Sequence, residues 1–400
     1  MYLNINDLTH QSLPQFALFN LGFRIFFLAA SIFAIVAMFI WAAVFLFQLP
    51  IPIQQLTSHY WHAHEMLYGY AMAVIAGFLL TAVKNWTGVQ TVYGKPLALL
   101  FSFWFIARLF FLFGDTYLII ASIFDMLFSV LLLLAVTTPV VKTRQWKQSL
   151  ILGVLSALIL CNFMFYLGAF NIVANGLLWG VYGGLYLIMG LIILMVNRVL
   201  PFFIEKGINY PVRLFQARWL DITNLILFIS FLFFSLIWIQ PTVNASIAFI
   251  LFVLNTIKLI GWHTPGIWAR PLLWSLYLSY GFICLGFLLH TTSYLLGTFT
   301  SLALHAFAVG GIGVMTMGMM ARVSLGHTGR NIQLPPKTLA YAIGILLLAT
   351  VFRVILPLFD MTHYFIWVGL SQAMWILAFG LFIFIYLPIL IRPRVDNQFG

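Results

Sequence analysis

Two histidines and a glutamate stand together in Trp61-His-Ala-His-Glu-Met66, where an apolar stretch begins. Arg108, Asp125, His305 and Arg353 are more isolated still, each set within a long apolar run. These residue types favour one kind of chemistry. Imidazoles ligate iron or copper, and guanidinium groups bind planar carboxylates such as haem propionates. Nothing among them resembles a hydrolase nucleophile with its base. His62, His64 and His305 are the candidate ligands, Arg108 and Arg353 the candidate carboxylate holders, and Glu65 and Asp125 the groups that tune a site or relay protons. On a helix, residues two apart diverge by about 200°. His62 and His64 therefore cannot both face one metal unless the helix end unwinds. Glu65 lies three residues after His62, on the same face, and is expected to orient that imidazole. The blander reading is a set of buried salt bridges, such as Arg108 with Asp125, that fixes helix packing.

The elements that position these residues follow from composition. Of 400 residues, 64% are hydrophobic and 7% charged, against about 25% charged in a soluble domain. That excludes a water-soluble fold, a disordered chain and a coiled coil, and it makes the lipid bilayer the first partner. Apolar runs lie at roughly 26–47, 62–83, 97–113, 118–140, 150–169, 176–196, 220–239, 243–262, 272–289, 299–320, 338–356 and 364–390, each long enough to span. They are continuously apolar rather than alternating, so the expected fold is an all-α polytopic bundle of about twelve transmembrane helices and not a barrel. The expected organisation is an N-terminal segment over 1–20, one membrane domain over 21–392 and a tail over 393–400.

The net charge of +11 comes from single lysines and arginines between spans, with no basic run that would suggest nucleic acid. Seventeen of the nineteen fall in alternate loops, on one side of the bundle. The positive-inside rule makes that side, and both termini, cytoplasmic. The first apolar run is too long for a signal-peptide core, and no cleavable leader is expected. Cys161 and Cys284 sit inside apolar runs, so no disulfide framework and no Cys-x-x-Cys-His haem attachment is present. With this orientation His62, His64, Glu65, Arg108, Asp125, His305 and Arg353 share one depth band on the outer side, drawn from five helices.

Small residues such as Gly69 and Gly77 in the second run, and Gly310, Gly311 and Gly313 in the tenth, permit close helix approach. Met315, Met317, Met319 and Met320 are soft ligands for Cu(I) or, more commonly, adaptable packing. Past the tenth run, Gly326 is expected to cap the helix. Arg322, His327 and Arg330 form a candidate cytoplasm-side site for an anion or a quinone head group, or else a plain interfacial loop. The longest polar loop is expected over Asn197 to Trp219.

Several of these stretches together resemble the NnrS family of bacterial inner-membrane proteins. They are Leu21-Gly-Phe-Arg-Ile-Phe-Phe27, Trp61 through Gly69, Ile75 through Gly88, His305 through Met320, Ser324-Leu-Gly-His-Thr-Gly-Arg330 and Ile391-Arg-Pro-Arg394. The resemblance implies a twelve-span protein associated with haem b and copper, with the response to nitric oxide and nitrosative stress, and with denitrification. It also carries a looser architectural likeness to the catalytic subunits of haem-copper oxidases, whose second and tenth helices supply haem ligands. The matching positions are His62, His64, Glu65, Arg108, His305, Arg322, His327 and Arg353. Three departures stand out. Ile25 replaces a proline, Val196-Asn-Arg-Val-Leu-Pro201 lacks a Gly-Gly-Arg, and Tyr277 stands where a histidine is expected, which puts copper in question. Three functions fit the resemblance. The chain binds or reduces nitric oxide with electrons from quinol or another donor, or it carries haem, copper or a metal–nitrosyl species, or it binds nitric oxide without turnover.

Overall fold

The computed structural model describes residues 16–51, 55–297 and 300–400. Residues 1–15 of the expected N-terminal segment lie outside the described residues. Among the described residues every regular element is helical and no strand forms. Lipid offers no partner to backbone N–H and C=O groups, so each apolar run closes its own hydrogen bonds. The twelve helices are α1 (Gly22–Phe47), α2 (Ser58–Thr87), α3 (Lys95–Phe110), α4 (Asp115–Lys142), α5 (Ser149–Ala169), α6 (Gly176–Gly207), α7 (Arg218–Leu236), α8 (Pro241–Gly261), α9 (Pro271–Leu295), α10 (Thr300–His327), α11 (Thr338–Phe359) and α12 (Tyr364–Ile391). Eleven of them are long and apolar enough to cross a membrane. The exception is α3, whose 16 residues rise only about 24 Å. The chain is a polytopic membrane bundle.

Burial ranks the helices. In α2, 89% of the apolar window is buried inside the protein, and in α10, 78%, against 22% in α7 and 33% in α8. The helices that carry His62, His64 and His305 are therefore the central ones. Glycine lets them sit there. A Cβ on Gly69 would lie 2.4 Å from the Phe33 ring of α1, and one on Gly313 would lie 2.7 Å from the Trp375 ring of α12. Neither aromatic ring can withdraw without disturbing its own packing.

Arg24 shows why the start of α1 meets the C-terminal segment. Its guanidinium is fully buried and donates to the carbonyls of Ile389 (3.2 Å), Leu390 (2.8 Å) and Arg392 (2.8 Å), with Nε donating to Gly400 O at 3.0 Å. A side chain of α1 thus caps the C-terminal end of α12, whose last carbonyls have no partner of their own. The tail over 393–400 is not free. Val395 N donates to Thr328 O at 3.2 Å, and Arg394 Nη1 to His327 O at 3.1 Å. Arg394 also forks Asp396 through bonds of 2.9 and 2.5 Å. That hydrogen-bonded fork pulls the Asp396 carboxyl down to about 2. A depressed carboxyl stabilises the fold above its ordinary value, so this contribution persists at neutral pH and fades only as pH falls from about 4 to about 2.

Two expectations need correction. The stretch 197–207 is helix rather than loop, because α6 runs on through Pro201 to Gly207. Its Asn197, Arg198, Glu205 and Lys206 made a helical end read as polar connection. Gly326 is not a cap. It lies inside α10, which ends at His327, and the left-handed turn comes at Gly329 (φ 75°).

Replacing Arg24 by Leu takes the donor from four carbonyls and should cost about 3 kcal/mol or more. Thermal unfolding in detergent should show that loss, with Arg24→Lys recovering part of it. An unchanged Arg24→Leu midpoint would remove the capping role.

Candidate functional site

Three helices widen into π turns, and each does so at an ionisable residue. In α2 the π segment is Glu65–Ala71, directly after His64. In α10 it is Ala306–Gly313, directly after His305. In α11 it is Val351–Ile355, which contains Arg353. A π turn holds one residue more than an α turn and re-aims the side chains beyond it, and such turns concentrate at functional sites. Neighbouring helices support all three. Trp104 Nε1 of α3 donates to Gly69 O (3.0 Å), Ser279 Oγ of α9 to Gly311 O (2.7 Å), and Ser371 Oγ of α12 to Ala349 O (2.8 Å). The distortions are thus built into the packing.

The candidate residues resolve into two centres. The first is a buried ion network that joins α2, α3, α4 and α5. Arg108 of α3 contacts Glu65 Oε1 with Nη1 and reaches Asp125 Oδ1 with Nη2 at 2.6 Å. His64 Nδ1 lies 3.0 Å from Glu65 Oε1. His64 Nε2 lies 3.0 Å from Asn162 Oδ1 and 3.7 Å from Asp125 Oδ2. Asn162 Nδ2 and Tyr166 OH donate to Asp125 Oδ2, at 3.0 and 2.8 Å. His64, Glu65, Arg108 and Asp125 are all buried.

This network closes on itself. Asn162 must turn its NH₂ to Asp125, so its oxygen faces His64. Both nitrogens of His64 then meet acceptors. Arg108 bridges the two carboxylates, so each has a cationic partner in hydrocarbon. Phe165 and Phe111 stack on the ring, with centroids 4.2 and 4.8 Å away. His64 therefore has no nitrogen left for a metal, and Arg108 no terminal nitrogen for a propionate. The expectation that Glu65 orients His62 is also corrected, since Glu65 turns to His64 and Arg108.

The second centre is open. It contains His62 of α2, His305 of α10 and Arg353 of α11. His62 points away from His64, as the helical divergence requires, and stacks on Trp41 of α1 at 4.5 Å and 11°. Its Nδ1 is buried without a hydrogen-bond partner. His305 Nδ1 donates to Ser301 O at 2.6 Å, which leaves Nε2 as the lone-pair nitrogen. Arg353 Nη2 lies 3.0 Å from Nδ1 and 3.1 Å from Nε2 and donates to Nε2, a bond that a metal on Nε2 would replace. Arg353 lies 5.6 Å from the Tyr364 ring, and its Nη1 is buried without a partner. His62 lies within electrostatic range of both Arg353 and His305. No carboxylate among the described residues pairs with Arg353.

The remaining candidates lie elsewhere. Arg322, His327 and Arg330 line two adjoining clefts at the basic end. Met315, Met317 and Met320 belong to the apolar core. Tyr277 donates to Leu259 O at 3.0 Å. Among the described residues no group of three or more His, Cys, Asp or Glu side chains converges as a metal site. Asn162 and Tyr166 escaped the sequence reading, although an amide inside an apolar run is a signal of its own. Trp41 and Ser301 carried none, because one is an ordinary aromatic and the other acts through its backbone.

The family model described as NnrS protein matches residues 17–394, nearly the whole chain. No curated protein matches the chain.

The network yields a stability test. Arg108→Leu leaves two buried carboxylates unbalanced and should cost about 3–5 kcal/mol. Adding Glu65→Gln and Asp125→Asn should return most of that, since the stranded charges go with the arginine. Thermal unfolding in detergent reads both effects, and an Arg108→Leu protein as stable as its parent would contradict the network's role.

Proposed function

Because the chain belongs to the NnrS family, we propose that it holds b-type haem between α2 and α10 and binds or reduces nitric oxide there. Family membership and fold make it a multi-pass membrane protein of the nitric oxide response. Haem, its ligands and the bacterial inner membrane as its location belong to the proposal.

The observation that carries this reading is the state of His305. A metal-binding imidazole typically gives its second N–H to a carbonyl or carboxylate, which fixes the tautomer and presents the other nitrogen. His305 does this with Ser301. His62 adds a second imidazole, held flat on Trp41, with a buried nitrogen lacking a partner. Arg353 adds a buried cation without a carboxylate, which suits a propionate. The donor number suits haem, which brings four equatorial nitrogens and needs one or two ligands from the protein. We therefore assign haem to this centre.

When bound, haem would supply an iron that coordinates a neutral diatomic and changes oxidation state. The residues supply the rest. Ser301 keeps the His305 lone pair on Nε2, and Trp41 restrains the His62 ring. Arg353 balances negative charge on the ligand. Nitric oxide is small and uncharged, so it can arrive through lipid. The neighbouring Glu65–Arg108–Asp125 network fixes the turn of α2 on which His62 sits. Electrons for reduction would come from quinol or a protein donor.

The purified protein should show a b-haem spectrum whose reduced form shifts on adding nitric oxide. His305→Ala should lose the haem band while still inserting in the membrane, and His64→Gln should keep it. Consumption of nitric oxide with reduced quinol would separate turnover from binding. A protein that stays colourless and takes up no haem on reconstitution would overturn the assignment.

A further inference from the structure

At the end opposite both centres, α2, α6, α9 and α10 part to form two adjoining clefts. The first has a volume of about 400 Å³ and the second about 520 Å³. Arg322, Gly326 and Ile332 line both. Five cationic side chains face this space: Arg198, Lys206, Arg270, Arg322 and Arg330. No Asp or Glu lines either cleft.

Arg322 marks the centre. Its guanidinium stacks over the Phe203 ring at 3.7 Å. Stacking occupies the face of the group and leaves its N–H edge free. No hydrogen bond or ion pair to that edge exists among the described residues. Its neighbours are partly tied down. Arg198 donates to Gln148 Oε1 at 2.9 Å, and Arg270 to Gln333 O and Asn209 Oδ1 at 2.8 and 3.0 Å. Those bonds go to neutral acceptors, so they orient the cations without discharging them.

The first cleft continues inward. It shares Phe78, Met195, Val199 and Met319 with a smaller cavity of about 80 Å³, which reaches Phe27 and Met315 and exposes no polar surface. A cationic mouth that leads to a wholly apolar end, in a protein surrounded by lipid, matches an amphiphile with an anionic head. A quinone fits less well, because its head is neutral and would leave the five cations uncompensated.

We propose that this cleft binds an anionic phospholipid of the leaflet on the basic side. Its phosphate meets the edge of Arg322 between Arg198 and Arg270, and the start of an acyl chain enters the cavity between α2, α6 and α10. Arginine matches phosphate through paired N–H donors, and basic pockets between membrane helices on the cytoplasmic side suit such head groups.

The test titrates the full-length protein, in neutral detergent, with phosphatidylglycerol and with phosphatidylcholine, and counts retained lipids by native mass spectrometry. Phosphatidylglycerol should bind about ten-fold more tightly, a difference of about 1.4 kcal/mol. Arg322→Gln should abolish that preference. Arg322→Lys keeps the charge but loses the fork, and should fall between. Lys337→Gln removes a charge from an exposed position at the same end, outside the clefts, and should change nothing. If Arg322→Gln does not fold, the Arg322→Lys titration and the lipid preference of the parent protein still decide the matter. Equal affinity for the two lipids overturns the proposal. Complete displacement of phosphatidylglycerol by millimolar inorganic phosphate also overturns it, by showing a free-anion site that makes no use of the chain.

Discussion

A buried guanidinium in a membrane must find its counter-charge inside the protein, and Arg108 is where this bundle meets that demand. It sits in the last turn of α3, the one helix too short to qualify as a span. Glu65 and Asp125 reach it from α2 and α4. Because those carboxylates are held, His64 and Asn162 are held too, and α5 joins the assembly. Four helices are thus locked by a single charge requirement. The energetic asymmetry of buried pairs explains why the lock is strict. Assembling such a network gains little over apolar packing, but removing one member leaves a charge with nowhere to go.

The open centre depends on the closed one. His62 and His64 stand on one turn of α2, and the network fixes the rotation of that turn. With His64 committed inward to Asp125, the helical divergence sends His62 to the opposite face, toward Trp41 and the helices that carry His305 and Arg353. The π turns serve the same end. Each one breaks the regular repeat where a charged or ligating side chain must be re-aimed, and a donor from a neighbouring helix occupies a carbonyl in or beside the widened turn. Those donors are Trp104, Ser279 and Ser371.

Much of this was legible in the residues. The twelve apolar runs became the twelve helices, because in lipid a long apolar run has almost no other way to satisfy its backbone. Ends were less legible. The last turns of α6 and α10 carry Arg198, Lys206, Arg322 and His327, and hydropathy alone reads such polar turns as connections. For the site, the sequence identified the ionisable residues and the divergence of His62 from His64, both consequences of composition and helical geometry. It could not show that they form two centres, because that division depends on which carboxylate the buried arginine takes. Glu65 illustrates the limit. Three residues after His62, it was expected to serve that ring, yet Arg108 is the stronger attraction and turns it to His64. Arg24 illustrates another. It counts as one more cytoplasmic cation, and only the fold reveals a cap for α12.

The two ends of the bundle treat charge in opposite ways, and the difference bears on what each is for. At the histidine end, Arg108 bridges two carboxylates within the first centre, and the second holds one guanidinium without a carboxylate beside two imidazoles. On the basic side lie seventeen of the nineteen lysines and arginines and only four of the eight acidic residues, so its excess of positive charge is larger than the net +11 of the chain. Orientation in the membrane accounts for how many basic residues lie there. It does not account for where they point. Arg144 and Lys147 satisfy the orientation rule from exposed positions between α4 and α5, where water solvates them at no cost. Topology alone would be served as well if every basic residue stood like these two. Arg322 gives up that solvation to stack on Phe203 inside a cleft ringed by four more cations, an arrangement that repels itself when empty. An anion among the charges relieves that repulsion, so the convergence, rather than the count, is what points to a ligand.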